Sequence, residues 1–240
     1  VYTLRKIRFL QFCKADLMYD RSLFLKIARF SSLTGFQQSI MNLGIVMIQG
    51  LVNTFGPVLM AAFAAGVKID AFAYMPVQDF GNAFSTFAAQ NTGAGEYRRV
   101  RDGLRSALII SALFSVAVSI AVFVFARPLI GIFIDKADVD VINIGASYLR
   151  IEGAFYILIG FLFLLYGLYR GLGRAGISVI LTIMSLGSRV LIAYTCAPSL
   201  GYSAIFWAIP IGWLLADTLG FWIWFKTKNK AADKGRANLS

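Results

Sequence analysis

Long apolar runs alternate with short polar stretches along nearly the whole chain, and six such runs can be drawn. A helix needs roughly 20 residues to cross the hydrocarbon of a bilayer, and every run reaches that length. Glycine and proline fall mostly between the runs, where they end helices. The pattern therefore predicts an all-α membrane protein built as a six-transmembrane-helix bundle, with spans at residues 33–55, 57–88, 103–126, 141–169, 177–197 and 203–225.

The overall composition strengthens the membrane interpretation and weakens an enzymatic one. Hydrophobic residues make up 58% of the chain and charged residues 15%, whereas soluble domains carry about 25% charged residues. The chain has no histidine, and its two cysteines, Cys13 and Cys196, are isolated. It therefore lacks the commonest general base and any spacing typical of metal ligands. We expect no enzyme activity, no metal site and no organic cofactor.

The basic residues are distributed unevenly and predict the orientation of the bundle. Of 23 Lys and Arg residues, 18 lie within residues 1–30, 91–105, 168–176 and 226–240, and only two lie in the alternate connections. Cytoplasmic loops of membrane proteins carry such an excess. We therefore expect a multi-pass protein of the cell membrane (plasma or inner membrane) with both termini cytoplasmic. The net charge of +11 then indicates contact with the lipid bilayer and not with nucleic acid.

Three regions follow along the chain. They are a cytoplasmic basic linker at 1–30, the six-helix transmembrane lobe at 31–226 and a cytoplasmic basic tail at 227–240. Within the linker, Leu23, Phe24, Ile27 and Phe30 recur at helical spacing, which predicts a short interfacial helix, with a plain linker as the alternative. The chain starts at Val1 without an initiator methionine or signal peptide, so we expect a truncated chain or, alternatively, a processed one.

The second predicted span is unusually long and polar. It contains Lys68, Asp70, Tyr74, Gln78 and Asp79. Helical spacing brings Lys68 and Asp79 within about 20° of one face and puts Asp70 roughly opposite. One interpretation is a water-reaching cavity wall that binds cations or protons; the other is a Lys–Asp pair that holds helices together. Proline at position 76 should kink this helix.

The fourth and sixth spans carry further buried carboxylates. Glu152 lies near the middle of the fourth span, one turn before Tyr156, where it can exchange a proton or bind Na⁺; the alternative is an internal salt bridge with Arg189. Asp217 lies near the centre of the last span and fits either role. The candidates for ion or proton coupling are therefore Glu152, Asp70, Asp79 and Asp217.

The first span has no charged residue but carries a stripe of amides, Gln38, Asn42, Gln49 and Asn53. Their spacings of 4, 7 and 4 put them on one side of a helix. The stripe faces either a substrate cavity or a neighbouring helix, where amides stabilise helix pairs. The residues expected to line a substrate cavity are Gln38, Asn42, Gln49, Asn53, Lys68, Tyr74, Gln78 and Tyr156.

Several short segments, in this order on six matching spans, resemble the second half of the multidrug and toxic compound extrusion (MATE) family. The segment before the basic loop is the most typical of that family. The matching segments are QQS at 37–39, NTFG at 53–56, VKID at 67–70, PVQDFG at 76–81, AQNTGAG at 89–95, YLRI at 148–151 and YRGLG at 169–173.

The resemblance implies a V-shaped transporter of two six-helix lobes around a central cavity. Cationic drugs would leave the cytoplasm in exchange for Na⁺ or H⁺, and the first lobe would be the missing partner of this chain. Some relatives carry a carboxylate on the first helix of this lobe, where this chain has only amides. Two alternatives stay open: a lipid-linked saccharide flippase or exporter of related architecture, and a non-transporting membrane scaffold.

The charge distribution yields a topology that can be tested directly. In a background without Cys13 and Cys196, the substitutions Glu96→Cys and Ser199→Cys should react with an impermeant thiol reagent from opposite sides of the membrane, since three predicted spans separate them. Intact cells and inverted vesicles provide the two sides. Labelling of both positions from one side would contradict the predicted topology.

Overall fold

The computed structural model describes residues 19–237, with side chains as far as Lys226, and the described residues form eight α-helices and no strand. The helices follow one another with short connections, as expected for a bundle of antiparallel neighbours. Their bounds are α1 Arg21–Asn53, α2 Pro57–Gly93, α3 Tyr97–Val124, α4 Ala126–Ile130, α5 Val139–Gly153, α6 Tyr156–Gly171, α7 Ala175–Leu200 and α8 Ser203–Ala237.

Length and composition support five of the six predicted spans. Helices α2, α3, α7 and α8 are each long and apolar enough to cross a membrane, and α5 together with α6 forms a fifth candidate. The first predicted span lies in α1, which has 33 residues but does not reach the same apolarity. Its amide and serine side chains lower the hydropathy of α1.

The fourth predicted span is not one helix, as the hydropathy pattern suggested. It is broken between Gly153 and Tyr156, and α5 and α6 are bent by 53° at the break. The Phe155 N–H donates to the Glu152 carbonyl three residues back, at 2.9 Å, instead of continuing the α-helical ladder. No proline lies near this point and the apolar run continues across it, so the sequence pattern does not reveal the break.

The prediction of a separate short helix in the amino-terminal linker is wrong for the residues that the structure describes. Residues 21–30 are the first part of α1 and not a separate short helix. Asp20 caps this helix by accepting hydrogen bonds from the Ser22 and Leu23 N–H groups at 2.7 and 3.2 Å. Residues 1–18 of the predicted linker lie outside the described residues. At the other end α8 continues to Ala237, so the predicted tail begins as helix, and residues 238–240 are outside the described part.

The predicted connections are confirmed by backbone conformation. Four glycines, Gly56, Gly95, Gly173 and Gly201, adopt φ values of 95°, 77°, 71° and 69° at the ends of helices. Each lies in a connection that the sequence indicated. Pro57 occupies the first turn of α2, where its missing N–H costs no hydrogen bond. The proline at position 76 lies inside α2, which continues unbroken through it.

Helix α6 occupies the centre of the bundle. It packs against α2, α3, α7 and α8, and 12 of its 16 residues are buried. Its closest neighbour is α2: a Cβ added to Gly167 would lie 2.2 Å from the Gly81 carbonyl oxygen, so the two backbones touch here. Helices in lipid associate mainly through such close packing, because lipid tails are as apolar as the side chains they replace.

Glycine at position 167 is therefore expected to be essential for the packing of α2 on α6. The substitution Gly167→Ala should destabilise the protein by about 1–3 kcal/mol, because the methyl group overpacks a backbone contact. The measurement is the thermal unfolding midpoint of the purified protein in detergent. Gly187→Ala is the matched control, since no atom lies within 4 Å of the added Cβ. Equal unfolding midpoints for the two variants would contradict the close backbone contact.

Candidate functional site

Two buried carboxyl groups from different helices meet near the middle of the bundle. Asp70 on α2 is 3% exposed and Glu152 at the end of α5 is 4% exposed. Their side chains lie within hydrogen-bonding reach of each other, although 81 residues separate them in the sequence. We call Asp70 and Glu152 the carboxyl pair.

Two tyrosines supply hydroxyl groups to the carboxyl pair. The Tyr156 hydroxyl donates a hydrogen bond to Asp70 Oδ1, and the Tyr148 hydroxyl lies beside both carboxyl groups. Gly66, one turn before Asp70, leaves space for the Tyr148 ring: a Cβ added there would lie 2.4 Å from Tyr148 Cδ1. The pair and its tyrosines therefore form one packed acidic cluster.

The break between α5 and α6 positions this cluster. Tyr148 and Glu152 are one turn apart at the end of α5, and Tyr156 is the first residue of α6. Because the chain bends here, residues from both helices point at the same part of α2. A discontinuous helix at membrane depth is tolerated where it is buried in protein or lines a cavity, and transporters often build ion sites there.

Arg189 on α7 is the cation whose charge acts on the carboxyl pair. It is half-buried, and its Nε has no hydrogen-bond partner in the described part of the chain. The salt bridge between Glu152 and Arg189, the alternative to an ion-binding role, is not formed: the ion pairs among the described residues are those of Arg98 and Arg101 with Asp102. Arg189 therefore acts on the pair through space and not as a contact ion pair.

The carboxyl pair has free coordination capacity for a small cation. Asp70 Oδ2 and Glu152 Oε1 are buried and have no hydrogen-bond partner among the described residues. Carboxylate and hydroxyl oxygens are hard ligands that suit a proton or Na⁺. No group of three acidic, histidine or cysteine residues occurs within the described side chains. The chemistry therefore fits one monovalent cation shared between two carboxyl groups.

Of the other candidates on α2, Tyr74 lies near the cluster, one turn after Asp70, and interacts electrostatically with both carboxyl groups and with Tyr156. Lys68 and Asp79 are both exposed, whereas Tyr74 and Gln78 are half-buried. The alternative of a Lys68–Asp pair holding helices together is not supported. The Lys68 Nζ lies 5.8 Å from the centroid of the Phe133 ring and forms no ion pair with a described acid.

The amide stripe of α1 lies on the surface of the lobe. Gln38, Asn42, Gln49 and Asn53 are all exposed, and the hydrogen bond found within the stripe is internal, from Gln38 Nε2 to Asn42 Oδ1 at 3.5 Å. None of the four reaches another described helix, so the stripe does not connect α1 to its neighbours within the described structure. Gln37, which was not among the predicted site residues, makes such a connection, as does the Tyr194 hydroxyl of α7, which donates to the Met47 carbonyl at 3.0 Å. Gln37 donates to Thr182 Oγ1 of α7 at 2.9 Å.

Asp217, the fourth acidic candidate, is also apart from the carboxyl pair. It is buried on α8, near Tyr166 of α6. Tyr148 was not among the predicted site residues, although its position one turn before Glu152 on the same helix indicates that the two side chains are neighbours. No sequence pattern indicated that Asp70 and Glu152 lie close together, because their proximity depends on how α2 crosses the break between α5 and α6.

Comparisons of sequence connect this chain to transporters. Residues 32–195 match the model of the MatE family. A probable multidrug resistance protein NorM of Thermotoga maritima is 27% identical over 67% of this chain and 34% of its own length. The probable multidrug resistance protein YpnP of Bacillus subtilis is 28% identical over 63% of this chain and 34% of its length. An FAD transporter of Shewanella oneidensis is 26% identical over 53% of this chain and 28% of its length.

Solved structures share the fold. A crystal structure of MATE in complex with MaL6 superposes with a TM-score of 0.87 at 20% identity, over 97% of this chain and 53% of that one. A transporter of the MOP superfamily from Pyrococcus furiosus gives 0.86 at 20% identity, over 95% and 52%. The chain thus spans about a third of the curated relatives and about half of the solved chains. Because the family model covers more than half of its residues, the chain belongs to the MatE family of membrane proteins.

Proposed function

We propose that this chain is the second six-helix lobe of a multidrug efflux antiporter of the cell membrane. It would export cationic drugs in exchange for Na⁺ or H⁺, with a first six-helix lobe as its partner. The family match, the names of the Thermotoga maritima and Bacillus subtilis relatives and the half-length match to solved transporters support this proposal. The protein would move its substrate without converting it, so we propose no enzyme activity.

The carboxyl pair is the observation that carries the coupling part of the proposal. Two ionised carboxylates in contact repel each other, and burial makes their charge more costly. A bound proton or Na⁺ removes that repulsion and holds α2 against the end of α5. Release of the cation favours separation of Asp70 and Glu152 at the point where the chain is already bent. Ion occupancy would thereby bias the relative positions of α2 and the α5–α6 pair, as alternating access requires.

Arg189 gives the emptied site a second source of positive charge. Its guanidinium acts on both carboxyl groups from α7 and has no contact ion pair in the described structure. When the coupling ion leaves, Arg189 can approach the pair and compensate its charge. We therefore infer that the coupling ion and Arg189 compete for the same carboxyl groups.

The exposed polar side chains of α1 and α2 are proposed to line the substrate path. The stripe of Gln38, Asn42, Gln49 and Asn53 presents amide groups that can hydrogen-bond a drug without the desolvation cost of a full charge. Asp79 adds an exposed carboxylate that would attract a cationic substrate. In the complete transporter the other lobe would form the opposite wall of this path.

A second candidate is an exporter of anionic substrates, the class that includes the lipid-linked saccharide alternative. One relative is named an FAD transporter, and one structural neighbour is described by a binding pocket of reversed polarity. The exposed Lys68 and Arg150 and the half-buried Arg189 are cations of this lobe that would favour an anion. Transport assays with cationic dyes and with an anionic nucleotide separate the two candidates.

The coupling proposal predicts the effect of neutralising the carboxyl pair. In the complete gene product, Asp70→Asn and Glu152→Gln should each reduce ion-driven drug efflux at least about tenfold, equivalent to about 1.4 kcal/mol of lost ion binding. The amides keep the size of the side chains but cannot exchange a proton or neutralise Na⁺. The measurement is dye efflux in proteoliposomes under an imposed pH gradient or Na⁺ gradient. The gradient that drives efflux identifies the coupling ion.

Asp140→Asn is the matched control, because Asp140 is an exposed acid in the first turn of α5, the helix that carries Glu152. It should transport like the unmodified protein. Asp79→Asn tests whether an exposed acid of α2 also takes part. Thermal unfolding of each variant checks that the protein is folded. Unchanged transport and ion dependence in both Asp70→Asn and Glu152→Gln would refute the assignment of the carboxyl pair.

A further inference from the structure

Asp217 is a buried acid with no partner for either carboxyl oxygen. Its side chain is 4% exposed, and neither Oδ1 nor Oδ2 has a hydrogen-bond donor among the described residues. It lies on the face of α8 that packs against α6 and α7, next to the fully buried Ala216. A buried carboxylate in this position would be an uncompensated charge, which is among the most costly groups in a protein interior.

The polar groups of α6 near Asp217 are engaged elsewhere. Tyr166 is the titratable residue that faces Asp217; its hydroxyl lies beside Thr182 and makes no hydrogen bond to either Asp217 oxygen. Three residues further on, the Tyr169 hydroxyl donates to the Gly220 carbonyl at 2.7 Å. Arg170 uses its Nε on the Tyr166 carbonyl and its guanidinium on Asn82, at 3.2 and 2.9 Å.

Two buried hydroxyl groups of α7 are also already donated. Ser178 Oγ donates to the Tyr166 carbonyl at 3.2 Å, and Thr182 Oγ1 donates to the Ser178 carbonyl at 3.0 Å. Asp217 is buried, and no charged side chain among the described residues of α5, α6, α7 and α8 interacts with it electrostatically. Arg189 of α7 acts on the carboxyl pair instead. Nothing in the neighbourhood therefore compensates a negative charge on Asp217.

A proton is the ligand that this environment can accept. One proton neutralises the carboxyl group and needs no further ligands, since it becomes part of the hydroxyl of the acid. Na⁺ needs several oxygen ligands, and no second acid lies beside Asp217 in the described structure. One turn further along, α8 packs closely on α6: a Cβ added to Gly220 would lie 2.7 Å from Leu165 Cδ1.

We propose that Asp217 is a second proton-binding site of this lobe, separate from the carboxyl pair, and that its bound proton holds α8 against α6 and α7. The two sites lie at different levels of α6. Tyr156, which contacts the pair, and Tyr166, which faces Asp217, are ten residues apart, roughly 15 Å along the helix. Loss of the proton would put a charge between α8 and its neighbours and loosen their packing. The proton binding does not depend on the proposed antiport; only its use in transport rests on it.

Infrared spectroscopy of the complete, purified protein tests the proposal without a transport assay. The protein should show the carbonyl stretching band of a protonated carboxylic acid at neutral pH, and the intensity due to Asp217 should be absent in Asp217→Asn and Asp217→Ser. Asp140→Asn, which changes an exposed acid, should keep the full band. A band that decreases in Glu152→Gln but in neither Asp217 variant would overturn the proposal while leaving the carboxyl pair in place.

Thermal unfolding gives an independent readout of the same proton. A proton that is bound more tightly in the folded protein stabilises it at low pH, and this stabilisation is lost as pH rises. The unmodified protein should therefore lose at least about 3 °C more than Asp217→Asn between about pH 6 and about pH 9. Parallel curves for the two proteins would overturn the proposal. Binding of Na⁺ in place of a proton would also overturn it. In that case NaCl, but not choline chloride, would raise the unfolding midpoint of the unmodified protein, and neither salt would raise that of Asp217→Asn.

Discussion

The backbone contact between α2 and α6 at Gly81 and Gly167 is the constraint on which the bundle depends. The two helices run in the same direction, because Gly171 of α6 lies against Ser85 and Ala88 of α2, further along both chains. Eleven residues back from the contact on α2 is Asp70, and eleven residues back on α6 is Tyr156. Eleven residues are close to three helical turns, so each helix presents the glycine and the polar residue on the same face. The close approach of the glycines therefore also aligns the Tyr156 hydroxyl with Asp70.

The break between α5 and α6 adds the second acid to this alignment. A continuous helix would carry Glu152 and Tyr156 on one face and one axis, stacked one turn apart. The 53° bend instead separates the axes, so that Glu152 approaches from α5 while Tyr156 heads the central helix. Glu152, Gly153 and Tyr156, which flank the break, are buried, whereas Ala154 is exposed. The same interruption that weakens the helix thus concentrates two carboxyl groups at one point.

The buried acids of the lobe occupy different electrostatic environments. Asp70 and Glu152 share tyrosine hydroxyls and the field of Arg189, so their charge can be balanced inside the lobe. Asp217 has neither a donor nor a counter-charge in the described structure. Asp79 is exposed on α2. Burial alone thus does not distinguish the candidate coupling site. The carboxyl pair differs from the other acids because two carboxyl groups lie close enough to share one cation.

The sequence by itself determined the fold class, five of the spans, the glycine turns and the family, because each of these follows from residues close together in the chain. Hydropathy depends only on the residues of one helix. A glycine that ends a helix with positive φ can likewise be recognised from the residues beside it in the sequence. The tertiary structure alone decided the break at Ala154 and Phe155, the pairing of Asp70 with Glu152, and the separation of Arg189 from both. These features depend on where distant helices cross and how closely their backbones approach. A local pattern contains no information about that crossing, because contacts between small residues such as Gly81 and Gly167 become specific only when the helices meet.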